Sequence, residues 1–319
     1  MKKSHSHCLV TGGAGFIGSH IVEGLLRRGY SVRVLDNLST GSSNNLSSWK
    51  GKIDFLKGDF RNEATLRKAL RDVQYVFHIG ANRAVLRSVD NPLETNDVNV
   101  TGTLKLLLAS RDAKVKRFIF SSSSSVYGFA KKYPSSEGDP VCPESPYAAS
   151  KLMGEYYCRL FWRLFGLSTV SLRYFNVFGP RQNPESRYSA VIPIFIDRLL
   201  KSQPLQIHWD GKQSRDFSYV DNVVEGNLKA LTAASEKVSG ESFNIACHDE
   251  YSVLDILYAL QKILKRKAKS VKFLPRRAGD VRRTFADISK AEKKMGFKVQ
   301  TRFHQGLEKT VAWFLKENL

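Results

Sequence analysis

Two short stretches carry side chains that could do chemistry together. One is Tyr147-Ala-Ala-Ser-Lys151; the other is the serine run Ser121 to Ser125 upstream. Pro146 suits a helix entry, and Ala148, Ala149, Lys151, Leu152 and Met153 are good helix formers, so Tyr147 and Lys151 fall one turn apart on one face. A free phenol has a pKa of about 10 and is a poor base at neutral pH. A neighbouring ammonium, and any positively charged cofactor ring, would lower it by favouring the phenolate. A hydroxyl from the serine run could hold the alcohol whose proton Tyr147 removes. The same spacing also suits a half-buried tyrosine beside a solvated lysine, so the weight falls on context.

The context is a chain that alternates apolar strands with amphipathic helices, the pattern of a parallel sheet covered on both faces. It opens with the strand His7–Thr11, the glycine turn Gly12-Gly13-Ala14-Gly15-Phe16-Ile17-Gly18 and an apolar helix to Arg28. Such a turn lets the backbone approach a pyrophosphate at the helix N-terminus, where free N–H groups favour anions. The next strand ends in Asp36, placed to accept from an adenosine ribose and to repel a 2′-phosphate, which favours NAD over NADP. Arg33 falls on the opposite face of that strand. We read strands at 7–11, 31–35, 53–56, 75–78, 117–121 and 169–173, with helices near 17–28, 62–71, 93–111 and 146–165. Apolar residues cover more than half the circumference of the last helix, which implies a second packing partner besides the sheet. From Asn176 the alternation weakens, with a helix near 190–201. The stretch 217–234 returns to the first domain, and a capped helix at 252–265 has a core-facing stripe.

These motifs resemble the extended short-chain dehydrogenase/reductase family, most closely its UDP-hexose 4-epimerases. The likeness runs nearly end to end: Thr11 to Gly18, Asp36-Asn37, Gly58-Asp59, Asn99-Val100-Thr101-Gly102-Thr103, Ser121-Ser122-Ser123 before Val126-Tyr127-Gly128, Tyr147 to Lys151, Arg173 to Pro180, Arg215-Asp216-Phe217 and Arg277-Ala278-Gly279-Asp280. The resemblance implies an α/β fold, a Rossmann-type doubly wound parallel sheet with a smaller α/β C-terminal substrate domain. Residues 1–174, with 217–240 returning, would hold NAD; residues 175–319 would hold the UDP-sugar. NAD contacts are expected from Gly12, Gly15, Phe16, Ile17, Gly18, Asp36, Asn37, Asp59, Phe60, Asn99, Tyr147 and Lys151. Asp59 would contact adenine or, on the residue-level reading, cap the helix starting near Asn62. Substrate contacts are expected from Arg83, Ser88, Ser123, Ser124, Tyr147, Asn176, Ala190, Val191, Arg215, Arg277, Asp280 and Thr284. No metal is expected.

The implied reaction is epimerisation. Tyr147 takes the proton of the sugar 4-hydroxyl as hydride passes from C4 to NAD⁺; the keto sugar turns over, and both return to its other face. Lys151 lowers the tyrosine pKa and holds the nicotinamide ribose. Ser123 faces the 4-hydroxyl, with Ser124 its main rival. The run offers no carboxyl group there, so elimination of water lacks a general acid. Asn176 argues against UDP-glucuronate 4-epimerases. Thr284 and Ala190, small where glucose-restricted members are larger, leave room for a 2-acetamido group. The family's homodimer pairs the helices at 93–111 and 146–165 with their copies. The alternatives are another UDP-sugar-modifying member (a UDP-glucuronate 4-epimerase or decarboxylase) or a non-catalytic nucleotide- or RNA-binding one.

Composition sets the outer limits. At 319 residues and 42% hydrophobic, the chain can bury one large core or two modest ones. It has no run of 18 apolar residues, hence no expected membrane span, and its N-terminus does not read as a signal peptide. Cys8, Cys142, Cys158 and Cys247 lack metal or redox spacing and read as free thiols of a cytoplasmic protein. The formal net charge is +20. Between Lys262 and Lys298, 14 Lys/Arg face three Asp/Glu. A solvated basic face is the plain reading; nucleic-acid contact is the alternative, without the interleaved aromatics of a single-strand binder.

Overall fold

The computed structural model describes residues 7–83, 85–183, 190–276 and 280–317. The first lobe is built from β1 (His7–Thr11), α1 (Phe16–Arg27), β2 (Ser31–Asp36), β3 (Asp54–Lys57), α2 (Glu63–Ala69) and β4 (Tyr75–His78). It continues with α3 (Val85–Asp90), α4 (Pro92–Asn96), α5 (Gly102–Asp112), β5 (Arg117–Ser123), α6 (Pro146–Phe165) and β6 (Thr169–Tyr174). The smaller lobe begins with β7 (Val177–Phe178), α7 (Val191–Leu200), β8 (Leu205–His208), β9 (Ser214–Asp216) and β10 (Ser218–Tyr219). Then α8 (Val220–Thr232), α9 (Ser235–Val238) and β11 (Glu241–Ile245) lead back to the sheet. The chain ends with β12 (Glu250–Ser252), α10 (Val253–Leu264), β13 (Val271–Leu274), β14 (Arg283–Thr284), α11 (Ser289–Met295) and α12 (Phe303–Glu317).

The central sheet has seven strands in the order β11-β6-β5-β4-β1-β2-β3, all parallel. Strand order reverses between β1 and β4, which opens a crevice at the carboxyl ends. β1, β4, β5 and β6 are almost wholly buried, as strands covered on both faces must be. Six strands match the expected positions within a few residues. The seventh, β11, pairs with β6 and comes from a stretch in which no strand was expected.

Helix α6 spans the residues expected of it. Ser145 accepts from the Ala148 N–H as N-cap, Pro146 stands in the first turn, and Gly166 closes the helix in the left-handed region at φ 70°. The helix expected at 93–111 is instead three pieces. Between α4 and α5, Asp97–Thr101 winds as a π-helical turn, which turns Asn99 inward to 2% exposure. In the smaller lobe, Phe178, Phe195, Ile207, Phe217, Ile256, Phe303 and Phe314 form a second apolar core. The capping box expected at Ser252 and Asp255 is present.

A buried ionic cluster locks β5, α6, β6 and β11 together. Arg173 donates to both oxygens of Glu155 at 2.9 and 2.7 Å, and Ser122 and Ser242 donate to the same carboxylate at 2.5 and 3.1 Å. With those four hydrogen bonds Glu155 is well supplied, the condition under which a buried charge is tolerated.

Candidate active site

The carboxyl ends of the strands open into a cavity of about 640 Å3, closed from the other side by Asn176, Ala190, Arg215, Asp280, Val281 and Thr284. At one end the glycine turn sits against the backbone that follows β4. Gly12 has φ 67°, and a Cβ there would lie 2.6 Å from the Cα of Gly80; one on Gly18 would lie 2.1 Å from the Gly12 carbonyl oxygen. Neither position admits a side chain, so backbone alone forms this part of the wall, at the N-terminus of α1. Asp36 braces the turn, accepting from the Ala14 and Leu38 N–H groups at 2.9 and 2.8 Å. Arg33, on the other face, donates to Asp54 and to carbonyls at the end of α2. Asp59 does not cap α2; Asn62 does. The Asp59 carboxylate is taken by Arg61 and Asn37, and the Arg61 guanidinium holds it below the usual carboxylate range. This end of the cavity can take a dinucleotide: a glycine cradle for a pyrophosphate and carboxylates at the ends of β2 and β3 for an adenosine.

At the other end Tyr147, Lys151 and the whole run Ser121 to Ser125 line the cavity. Ser123 lies beside the Tyr147 phenol and favours its ionised form. The Ser123 hydroxyl also accepts from the Ser125 N–H and hydroxyl at 3.2 and 2.9 Å, capping a short 3-10 turn. Burial holds the Tyr147 phenol above its ordinary value, while the neighbouring Ser123 hydroxyl and the Arg83 guanidinium pull it back down. Lys151, expected from spacing to act on the phenol, is engaged elsewhere. Its Nζ donates to the Ser121 carbonyl at 2.8 Å and lies 5.9 Å from the Tyr147 ring centroid, and burial pushes it down to about 7.

Beneath the cavity runs a continuous chain of hydrogen bonds. Gly80 N–H donates to Thr11 Oγ1, which contacts His78 Nδ1 at 2.7 Å; His78 Nε2 contacts Thr103 Oγ1 at 2.9 Å, and Thr103 donates to the Asn99 carbonyl. Because Thr103 spends its proton on Asn99, His78 must donate through Nε2 and accept through Nδ1. Asn99 then clamps the Asn82 main chain, accepting from its N–H at 2.7 Å and donating to its carbonyl at 3.0 Å. It also donates to Ser150, whose hydroxyl donates to the Tyr147 carbonyl at 2.7 Å. The chain thereby fixes α6 relative to the end of β1.

Most of the residues singled out from sequence converge on this one cavity. Gly12, Gly15, Phe16, Ile17, Gly18, Asp36, Asn37, Asp59, Phe60, Arg83, Ser123, Ser124, Tyr147, Lys151, Asn176, Ala190, Arg215, Asp280 and Thr284 all line it. Asn99, Ser88 and Val191 do not. Asn99 supports the wall from behind. Ser88 is buried and turned back on its own helix, donating to the Val85 carbonyl at 2.6 Å. Val191 begins α7 and packs against the smaller core. Arg277 lies outside the described residues. Thr284 Oγ1 donates to Asn176 Oδ1 at 3.3 Å, a contact that joins the strand ends of the two lobes. Sequence reasoning missed Arg61, Asn82, Arg87, Glu94, Glu144 and Gln182, all of which line the cavity. Glu94 accepts from Arg87, and Glu144 stands in the loop ahead of α6. They belong to no motif, and only the fold brings them to the wall.

Comparison with known proteins agrees with this geometry. The profile of the NAD dependent epimerase/dehydratase family matches residues 8–246. The chain is 40% identical over 312 residues to a putative UDP-glucose 4-epimerase of Methanocaldococcus jannaschii, covering 97% of this chain and 99% of the relative. A crystal structure of UDP-glucose 4-epimerase with UDP-glucose from Thermotoga maritima superposes with a TM-score of 0.93 at 37% identity, covering 98% of this chain and all of that one. UDP-N-acetylglucosamine 4-epimerase from Methanobrevibacter ruminantium, in complex with UDP-N-acetylmuramic acid, gives a TM-score of 0.92 at 39% identity over 98% and 99% of the two chains. With the family profile matching residues 8–246 and relatives alike over nearly the whole length, the chain belongs to the NAD-dependent epimerase/dehydratase family.

Proposed function

We propose that the protein inverts C4 of UDP-hexoses, interconverting UDP-GlcNAc with UDP-GalNAc and UDP-Glc with UDP-Gal. The observation that carries this reading is the Tyr147–Ser123 pair at a strand end whose other cavity-facing side chains are hydroxyls. A phenol and a hydroxyl suffice to take a proton from a sugar alcohol and return it; elimination of water needs an acid beside them. Of the wall carboxylates in this half of the cavity, Glu94 accepts from Arg87, and Glu144 stands in the loop ahead of α6 and not on the serine run.

When bound, NAD supplies the acceptor and then the donor for one hydride at C4. Tyr147 removes the 4-hydroxyl proton and restores it after the sugar has presented its other face, so the protein ends as it began. Ser123, already an acceptor from Ser125, is free to give its own proton to the Tyr147 oxygen or the substrate oxygen, which ranks it above Ser124. Lys151, anchored on the Ser121 carbonyl, stands ready for the nicotinamide ribose. Asn176, Arg215 and Asp280, with Arg277, hold the UDP moiety while the sugar stays loose, and a guanidinium fork suits a diphosphate. In this assignment residues 1–174 with 217–240 serve the cofactor, and the remainder serves the nucleotide sugar. Thr284 and Ala190 leave space on the sugar side for an acetamido group.

The reading includes a homodimer. On α6, Met153, Tyr156, Leu160 and Leu164 are 42, 47, 45 and 67% exposed, and Leu93, Val89 and Leu108 on the neighbouring helices extend that apolar strip. A strip of this size is costly to leave in water. The direct test is incubation of the purified protein, without added cofactor, with UDP-GlcNAc and separately with UDP-Glc, and NMR identification of the product. Inversion at C4 in both supports the reading. Turnover only with added NADH or NAD⁺, in step with product, overturns it.

A further inference from the structure

Asn82 is the least explained polar group in the cavity. Its main chain is held on both sides by Asn99, so its position is fixed. Its side chain is 8% exposed and lines the cavity, yet neither Nδ2 nor Oδ1 has a hydrogen-bond partner among the described residues. A buried amide with both ends unmet carries its full desolvation cost, and native proteins rarely leave one so. An arrangement that spends two hydrogen bonds on fixing the backbone and none on the amide is that of a side chain kept for a ligand.

The location decides which ligand. Asn82 precedes Arg83, whose guanidinium acts on the Tyr147 phenol, and it connects through Asn99 and Ser150 to the carbonyl of Tyr147 itself. This is the reacting end of the cavity, away from Asp36 and Asp59. A primary amide offers two donors and an acceptor, which matches a group that both gives and takes a hydrogen bond: a sugar hydroxyl or an acetamido substituent. We propose that Asn82 is a specificity-determining residue that hydrogen-bonds the hexose of the nucleotide sugar. The inference rests on the UDP-hexose reading above and deepens it.

The test compares the wild type with Asn82→Leu, which keeps the volume and removes the polarity, and Asn82→Gln, which keeps the amide. Three quantities are measured: KM for the UDP-hexose, the inhibition constant of UDP, which lacks the sugar, and the NAD retained after purification. The expected result for Asn82→Leu is a KM about tenfold higher, the loss of one good hydrogen bond, with UDP inhibition and NAD content unchanged. Asn82→Gln should recover most of the loss. An unchanged KM overturns the inference. So does a parallel rise in the UDP constant, which marks a structural role, or lost NAD, which assigns the amide to the nicotinamide carboxamide. Wild type that turns over no UDP-hexose overturns both this inference and the reading beneath it, whereas active wild type with an indifferent Asn82→Leu overturns this one alone.

Discussion

At the scale of single residues the site depends on a phenol that is harder to ionise than its sequence context suggests. Burial raises Tyr147, and the groups that ease it are Ser123 and Arg83. Lys151 is itself pushed down to about 7 and tied to a backbone carbonyl. Replacing the phenol removes the group proposed to carry the proton. Tyr147→Phe should lower kcat by about 10³-fold or more, while a titration with UDP-hexose still shows binding; near-native turnover in that variant would end the proposed mechanism. Ser123→Ala should cost about 10- to 100-fold in kcat and Ser124→Ala much less, measured side by side. Thr284→Tyr should abolish turnover of the acetamido sugars and spare the plain hexoses; an unchanged ratio refutes the pocket-size argument. Motif residues that face the cavity were legible because chemistry demands their type. Asn82 was not, since an asparagine looks the same in sequence whether its amide is paired or bare.

At the scale of elements, what the sequence reveals depends on whether a local signal exists. Helix α6 announced both ends through Ser145, Pro146 and Gly166. The π-helical turn at Asp97–Thr101 has no such punctuation, so three pieces read as one helix. Strand β11, Glu-Ser-Phe-Asn-Ile, alternates polar and apolar residues over only four positions, too short a signal to mark a strand, and its polar Ser242 and Asn244 are buried with the rest. The hydrogen-bond chain through His78 yields a pH prediction at this scale. It requires the neutral ring, and burial lowers His78 from 6.5 to about 3. The unfolded chain takes up that proton near pH 6.5 and the folded one does not, so the contribution is intact above 6.5 and is lost as pH falls toward 3. By pH 5 it amounts to about 2 kcal/mol of lost stability. NMR of the ring nitrogens should find Nδ1 unprotonated at pH 4.5; an imidazolium at pH 6 would refute the tautomer and the chain with it. Arg173→Met should be costlier still, about 3–5 kcal/mol in urea unfolding, because it strands Glu155 inside the sheet.

At the scale of the molecule, α6 faces three ways: Tyr147 and Lys151 to the cavity, Glu155 to the sheet, and Met153, Tyr156, Leu160 and Leu164 outward. If the outward strip joins two copies, Leu160→Glu with Leu164→Lys should convert a dimer to a monomer in analytical ultracentrifugation; a wild type that sediments as a monomer at micromolar concentration would refute the pairing. The positive charge has a simpler account in part. Lys262, Lys265, Arg266 and Lys267 stand exposed where α10 ends, and a helix C-terminus attracts cations. Among the described residues no helix is long and apolar enough to cross a membrane.

The late arrival of β11 bears on how this chain can be divided. It reaches its place beside β6 only after the polypeptide has gone out through β7 to β10 and come back along α8, and a second passage outward follows it. A chain ended after Phe175 would leave β6 with a raw edge and deprive Glu155 of Ser242. No single cut yields two self-sufficient halves. A split version of the protein would have to reassemble by strand addition, so its fragments should recover their fold only when mixed.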